Sequence, residues 1–324
     1  MKKYIFLASA VVALAACSSN EEIEQIGKCE IKLSSTLEVQ TRAAQGIQST
    51  EFDEGESVAV FINENTTAES PSVTYGQPLK YEVVGDNKSL TTTDPQYFPQ
   101  NGNGVDIYAV YPYDAGKNVT VTETAAKFAV QDDQSTNDNY KASDLMVGRP
   151  QGSVTVYKTT SDVKLVFDHC LSKININVKA GDGLTTDDLQ GAEVSILGIT
   201  NSATFDVQTG VVTTEKLPAA SSIIVGTLSK REDNGEIAGI SAIIIPQDVA
   251  AGTKFISIKI GGDQQTAPTE LVYTLPEAAD MIFDNGFSYT FNITAKKSGL
   301  TVDGTNINNW QNAGETDGEA IPMP

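Results

Sequence analysis

Glu30-Ile31-Lys32-Leu33-Ser34-Ser35-Thr36-Leu37-Glu38-Val39-Gln40-Thr41-Arg42-Ala43 is the stretch on which the reading of this chain turns. Ile31, Leu33, Leu37 and Val39 occupy odd positions and are apolar, while Lys32, Ser34, Glu38 and Gln40 between them are polar. A period of two is that of a β-strand with one buried face. Directly afterwards a lone arginine stands between small residues, Thr41-Arg42-Ala43. In isolation the stretch reads as an ordinary edge strand with a solvated arginine behind it. Its flanks reverse that reading, to a strand that is built in and then cut off between Arg42 and Ala43.

On the upstream side, Met1-Lys2-Lys3 is a short basic start, and Tyr4 to Ala16 is an apolar run too short to span a bilayer. The run ends Leu14-Ala15-Ala16-Cys17, small residues ahead of a cysteine, which is the lipobox of a bacterial lipoprotein. Residues 1–16 are then a signal peptide, Cys17 is the lipidated residue, and Ser18-Ser19-Asn20 is a polar tether. Acyl chains bury about 0.8 kcal/mol per methylene and hold a soluble domain at the membrane. Glu21-Glu22 resembles an acidic surface-export tag, a weak motif that a solvated charge pair matches equally.

Charge separates the two sides of Arg42. Lys2, Lys3, Lys28, Lys32 and Arg42 balance Glu21, Glu22, Glu24, Glu30 and Glu38, so the net charge of −20 belongs to the remainder. So acidic a surface repels phosphate backbones and argues against nucleic-acid binding. Of the three cysteines, Cys17 takes lipid and Cys29 precedes the cut. Cys170 alone remains, and no internal disulfide can form after cleavage. Arginine is equally scarce. Arg149 precedes Pro150, a bond most trypsin-like proteases refuse, and Arg231 follows Lys230 in a polar turn, which leaves Arg42 as the clean cleavage site.

Downstream, short apolar or alternating runs succeed one another between turns. The main ones are Ser57–Ile62, Leu79–Val84, Val105–Tyr111, Val163–Phe167, Ile174–Val178, Val194–Ile199, Ile240–Ile245, Phe255–Ile260 and Phe287–Thr294. No stretch of about 12 residues keeps a helical period. Strands with turn signals every ~8–12 residues predict an all-β chain of sandwiches. The length predicts two of them in tandem, residues 43–160 and 161–324, after a lipidated propeptide of residues 17–42.

Chemistry-bearing motifs are few. His169 is the sole histidine, and its neighbour Cys170 points to the opposite face if both lie in a strand, so a structural histidine is expected. Asp132, Asp133 and Asp138, and Asp182, Asp187 and Asp188, lack EF-hand spacing and read as solvated acidic loops. Tyr108, Tyr111 and Tyr113 around Pro112 read as core and corner packing ahead of a sugar-stacking platform. Scattered carboxylates are the whole case for a hydrolase. No catalytic residue, metal ligand or cofactor is expected.

Several landmarks occur in order: the lipobox, Thr41-Arg42-Ala43, Phe52-Asp53-Glu54-Gly55-Glu56-Ser57-Val58-Ala59-Val60-Phe61, Ile107–Tyr113, Asp144-Leu145-Met146, Val163–Ile174, Ile244-Ile245-Pro246-Gln247 and Ile307-Asn308-Asn309-Trp310. Together they resemble the fimbrillin family, the type V pilus subunits of Bacteroides-type bacteria, over nearly the whole chain. The resemblance implies two transthyretin-like, Greek-key β-sandwiches exported as a lipoprotein to the outer membrane and cell surface. It implies cleavage at Arg42–Ala43 by an arginine-specific maturation protease, release of the strand carrying Ile31, Leu33, Leu37 and Val39, and assembly into a fimbrium by strand addition from another subunit. Partners are then other fimbrial subunits, with a glycan or host receptor beyond them. Gln311–Pro324 departs from a polymerising subunit, since it has no apolar alternation to donate. A tip or accessory position stands beside a stalk position, and a permanently anchored binding lipoprotein is the alternative to a pilus subunit.

Overall fold

The computed structural model describes residues 28–37, 52–65, 78–117, 126–214, 221–261 and 267–310. They form an all-β protein with three helices of four to six residues: α1 (Tyr113–Gly116), α2 (Asn137–Ala142) and α3 (Thr186–Leu189).

Eight strands make the first sheet: β1 (Leu33–Leu37), β2 (Ser57–Glu64), β3 (Leu79–Val84), β4 (Ser89–Thr91), β5 (Val105–Tyr111), β7 (Met146–Pro150), β8 (Thr155–Val156) and β9 (Val163–His169). The order is β2-β3-β4-β1-β9-β7-β5-β8, and β2 also pairs with β5. Seven strands therefore close into a ring, where residues 43–160 were expected to form a β-sandwich. Closure removes sheet edges that would otherwise invite pairing. It is made possible by β2, Ser-Val-Ala-Val-Phe-Ile-Asn-Glu, whose central residues are buried on both faces. Val58, Val60 and Ile62 point into the ring with Leu33, Tyr81, Ile107 and Leu165. Ala59 and Phe61 belong to a second core outside it.

Gly148 of β7 stands opposite Phe167 of β9. A Cβ there would lie 2.6 Å from the Phe167 ring, so the glycine lets that ring cross β7. Phe52 then packs edge-on against Phe167, with centroids 5.0 Å apart.

The second core lies between two four-stranded sheets. One is β15 (Ile240–Ile244), β10 (Ser172–Ala180), β20 (Phe287–Lys296) and β21 (Gly299–Asn309); the other is β14 (Ser221–Thr227), β11 (Glu193–Ile199), β17 (Lys254–Ile260) and β18 (Thr269–Thr274). Two small sheets complete the unit, β13 (Val212–Thr213) with β12 (Ser202–Phe205) and β6 (Ala126–Ala129), and β16 (Gln247–Val249) with β19 (Met281–Phe283).

The boundary expected at residues 160/161 falls ahead of β9, yet β9 is hydrogen-bonded to β1 and β7 inside the ring. β6, from the N-terminal half, pairs with β12 of the second unit. The buried side chain of Gln134 also crosses over, exchanging two 2.8 Å hydrogen bonds with the Ile243 backbone of β15. One apolar core consequently runs from the outer face of β2, β5 and β7 into the second unit.

Candidate assembly site

β1 is the strand through which the ring closes on its N-terminal side. It runs parallel to β9 in five residue pairs, Leu33 opposite Val163 through Leu37 opposite Phe167. On its other side it is antiparallel to β4, Leu33 opposite Leu90 and Ser34 opposite Ser89. In the strand order β4 and β9 meet only through β1. Pairing begins before the strand proper. The Ile31 amide donates to the Gln96 carbonyl at 2.8 Å, the Phe98 amide to the Cys29 carbonyl at 2.8 Å, and the Val163 amide to the Lys32 carbonyl at 2.8 Å.

Ile31 and Leu33 are each 2% exposed and face the ring interior. At roughly 1.5–3 kcal/mol per buried aliphatic side chain, these two contribute about 3–6 kcal/mol, an upper bound because the unfolded chain is partly compact. Ser35 interrupts the apolar alternation on the same face and is buried. Its hydroxyl and its amide both donate to the Lys88 carbonyl, at 3.2 and 2.9 Å. Lys88 sits in the left-handed region at φ 52°, uncommon for a residue with a Cβ. Val39, Arg42, Ala43 and Cys17 lie outside the described residues, as does the side chain of Leu37.

The other residues singled out in the sequence are dispersed. Nδ1 of His169 lies 2.8 Å from Oδ1 of Asp144. The His169 ring stacks on Trp310 with centroids 4.0 Å apart and planes 8° apart. The thiol of Cys170 is buried against the Asp168 carbonyl, and burial pushes it up to about 12. A thiol so protonated is no nucleophile at neutral pH. His169 thus joins a junction cluster with Asp144, Trp310 and Lys173 rather than a nucleophile–base pair. The indole is fully buried at the end of β21, with the Lys173 ammonium 6.0 Å from its ring. Nothing in the sequence pattern signals that contact except the identity of the single tryptophan.

Tyr111 packs inside the ring and its hydroxyl donates to Glu56 at 3.2 Å, whereas Tyr108 and Tyr113 pack on the outer core. The three rings are thereby split between two faces and share no platform. Among the acidic loops, Asp132 accepts from the Asn201 amide, Asp187 pairs with Lys230, and Asp188 forms a capping box with Thr185 at α3.

Chains of this architecture have been solved before. A cell-adhesion assignment goes with a Bacteroides ovatus structure that superposes at TM-score 0.67 with 17% identity, over 87% of this chain and 98% of that one. A Bacteroides uniformis structure with the same assignment gives TM-score 0.60 at 23% identity, over 87% and 98%. The fold is therefore shared with these two proteins. The Fimbrillin-like family model matches residues 41–310, and the chain belongs to that family. Residues 1–18 match the prokaryotic membrane lipoprotein lipid attachment site. A Bacteroides uniformis protein assigned as the fimbrium subunit Fim1C is 27% identical over 321 residues, 96% of each chain. These matches make it a cell-surface, fimbrium-associated protein of a structural family.

Proposed function

We propose that this chain is a fimbrial subunit whose first strand is a removable plug. It reaches the outer membrane on a lipid at Cys17. An arginine-specific protease cuts Arg42–Ala43, the segment of Ile31, Leu33, Leu37 and Val39 leaves, and another subunit supplies a strand in its place. The observation that carries this reading is the position of β1 between β4 and β9. Its removal opens the ring, frees the backbone groups of two strands and uncovers the pocket of Ile31 and Leu33. Buried backbone groups without partners are costly, and a replacement strand restores both the ladder and the apolar contact. In this reading the units divide near Cys170, after β9, and the second unit is the sandwich.

β21 supports an accepting position over a donating one. It pairs with β20 along its length, and Trp310 at its end is anchored by a 2.6 Å bond from its amide to the Gly286 carbonyl. Donation of Leu300–Ile307 would require undoing both.

Arg42→Ala tests the model. Surface material from the wild type is expected to begin at Ala43 by N-terminal sequencing, and the variant to stay a lipidated monomer. Normal fibres from the variant would refute cleavage-driven assembly.

A further inference from the structure

Away from β1, a cleft of about 600 Å³ opens where the turn through residues 230–237 meets the sheet of β10, β20 and β21. Asn177, Lys179, Arg231, Glu236, Asn292 and Asp303 line it. Three features give it a chemical character.

Its formal charges cancel. Lys179 and Arg231 face Glu236 and Asp303, and the Lys179 ammonium lies 2.7 Å from Asp303. That balance stands out on a chain of net charge −20. An anion entering would meet the two carboxylates, and a cation the ammonium and guanidinium.

Hydrogen-bonding capacity is left over. Nε of Arg231 is buried and has no acceptor among the described residues. Asn177 Nδ2 donates to Asn292 Oδ1 at 3.0 Å, which leaves an acceptor on Asn177 and a donor on Asn292. Asn177 is exposed and Asn292 half-buried, so both groups are open to a ligand.

Space is reserved. A Cβ at Gly239 would stand 2.5 Å from Asn177 Oδ1, so the glycine keeps that acceptor uncovered, and its backbone is not in the left-handed region.

A hydroxyl group both donates and accepts, and adjacent hydroxyls match the paired donors and acceptors of amide, carboxylate and guanidinium groups. We propose that this cleft binds the neutral saccharide units of a glycan. Among the described residues no aromatic ring lines it, so affinity rests on hydrogen bonds and each site is weak; multivalent display compensates. None of the lining residues belongs to the ring, so the cleft can be tested on a dense array whether or not the chain is cut at Arg42.

The test is binding of labelled, purified full chain to an array of immobilised neutral, sialylated and sulfated glycans. Signal is expected on neutral glycans. Asn292→Ala and Gly239→Ala should each lower it about tenfold, as loss of one or two hydrogen bonds implies, with an unchanged melting temperature. Arg231→Gln serves as the second probe if either variant is unstable. Absence of binding, preference for sialylated or sulfated glycans, or undiminished binding by the folded variants would each overturn the proposal.

Discussion

At Lys173 a cation is held where water is scarce. It follows β9 by a few residues and lies beside the stacked His169 and Trp310 rings. Burial lowers its affinity for a proton to about 8, against an ordinary value of 10.5, and the Asp144 carboxylate only partly restores it. Between pH 8 and 10.5 the unfolded chain therefore binds more protons at this site than the folded one. Unfolding free energy from this group rises with pH over that window, and below pH 8 the full cost of burying the ammonium is present. Stability of the wild type relative to Lys173→Met should climb by roughly 3 kcal/mol across the window, measured by urea denaturation at pH 7, 9 and 10.5. A pH-independent difference would refute this. Single residues such as this were the least legible level. His169 beside Cys170 can be read as structural because strand neighbours diverge. That its ring meets an indole 141 positions later in the chain (310 − 169) follows only from the folded path of β21.

Individual strands were legible where alternation is clean. Leu79–Val84 and Val105–Tyr111 occur with the bounds that their sequence predicts. The full extent of β21 and the β16–β19 pair are not legible in sequence, because Thr-Val-Asp-Gly-Thr-Asn and Gln-Asp-Val carry little apolar periodicity and are held by their neighbours. The bounds of β6, a weak Ala-Lys-Phe-Ala run, are set by its partner β12. For β1 the alternation is readable, but the serine that breaks it is intelligible only beside the Lys88 carbonyl. A further expectation belongs to this element. Leu33→Ala removes a buried side chain from the ring and should destabilise the full chain by about 2–5 kcal/mol. The corresponding loss is meaningless in a chain that starts at Ala43, which should instead exchange the amides of β4 and β9 faster. Hydrogen exchange on the two forms measures both effects, and equal protection of β4 and β9 would show that β1 does not hold the ring shut.

The outer face of the ring shares one core with the second unit, and that continuity shapes the behaviour of the molecule. β6 and Gln134 tie the N-terminal half into the second unit, so the two should unfold in a single transition. Net charge acts at the same scale. The −20 charges lie after Arg42, so chains that begin at Ala43 repel one another, and the proposed strand exchange must overcome that repulsion. The screening length falls from about 30 Å at 0.01 M salt to about 10 Å at 0.1 M, and association followed by light scattering should accelerate several-fold between those conditions. Slower association at the higher salt would mean that attraction between opposite charges drives encounter. What the sequence by itself determined was local: an export leader, an all-β chain, a strand with one apolar face ahead of a lone arginine, and the landmarks of a fimbrillin. Those are properties of neighbouring residues, and a period of two or a lipobox needs no partner to be seen. Tertiary structure decided where β1 sits, how the ring closes through β2 and β5, and that β9 belongs with the first unit. Each is a pairing between segments far apart in the chain, selected by the apolar surface and backbone groups that they bury together, and no local pattern encodes that choice.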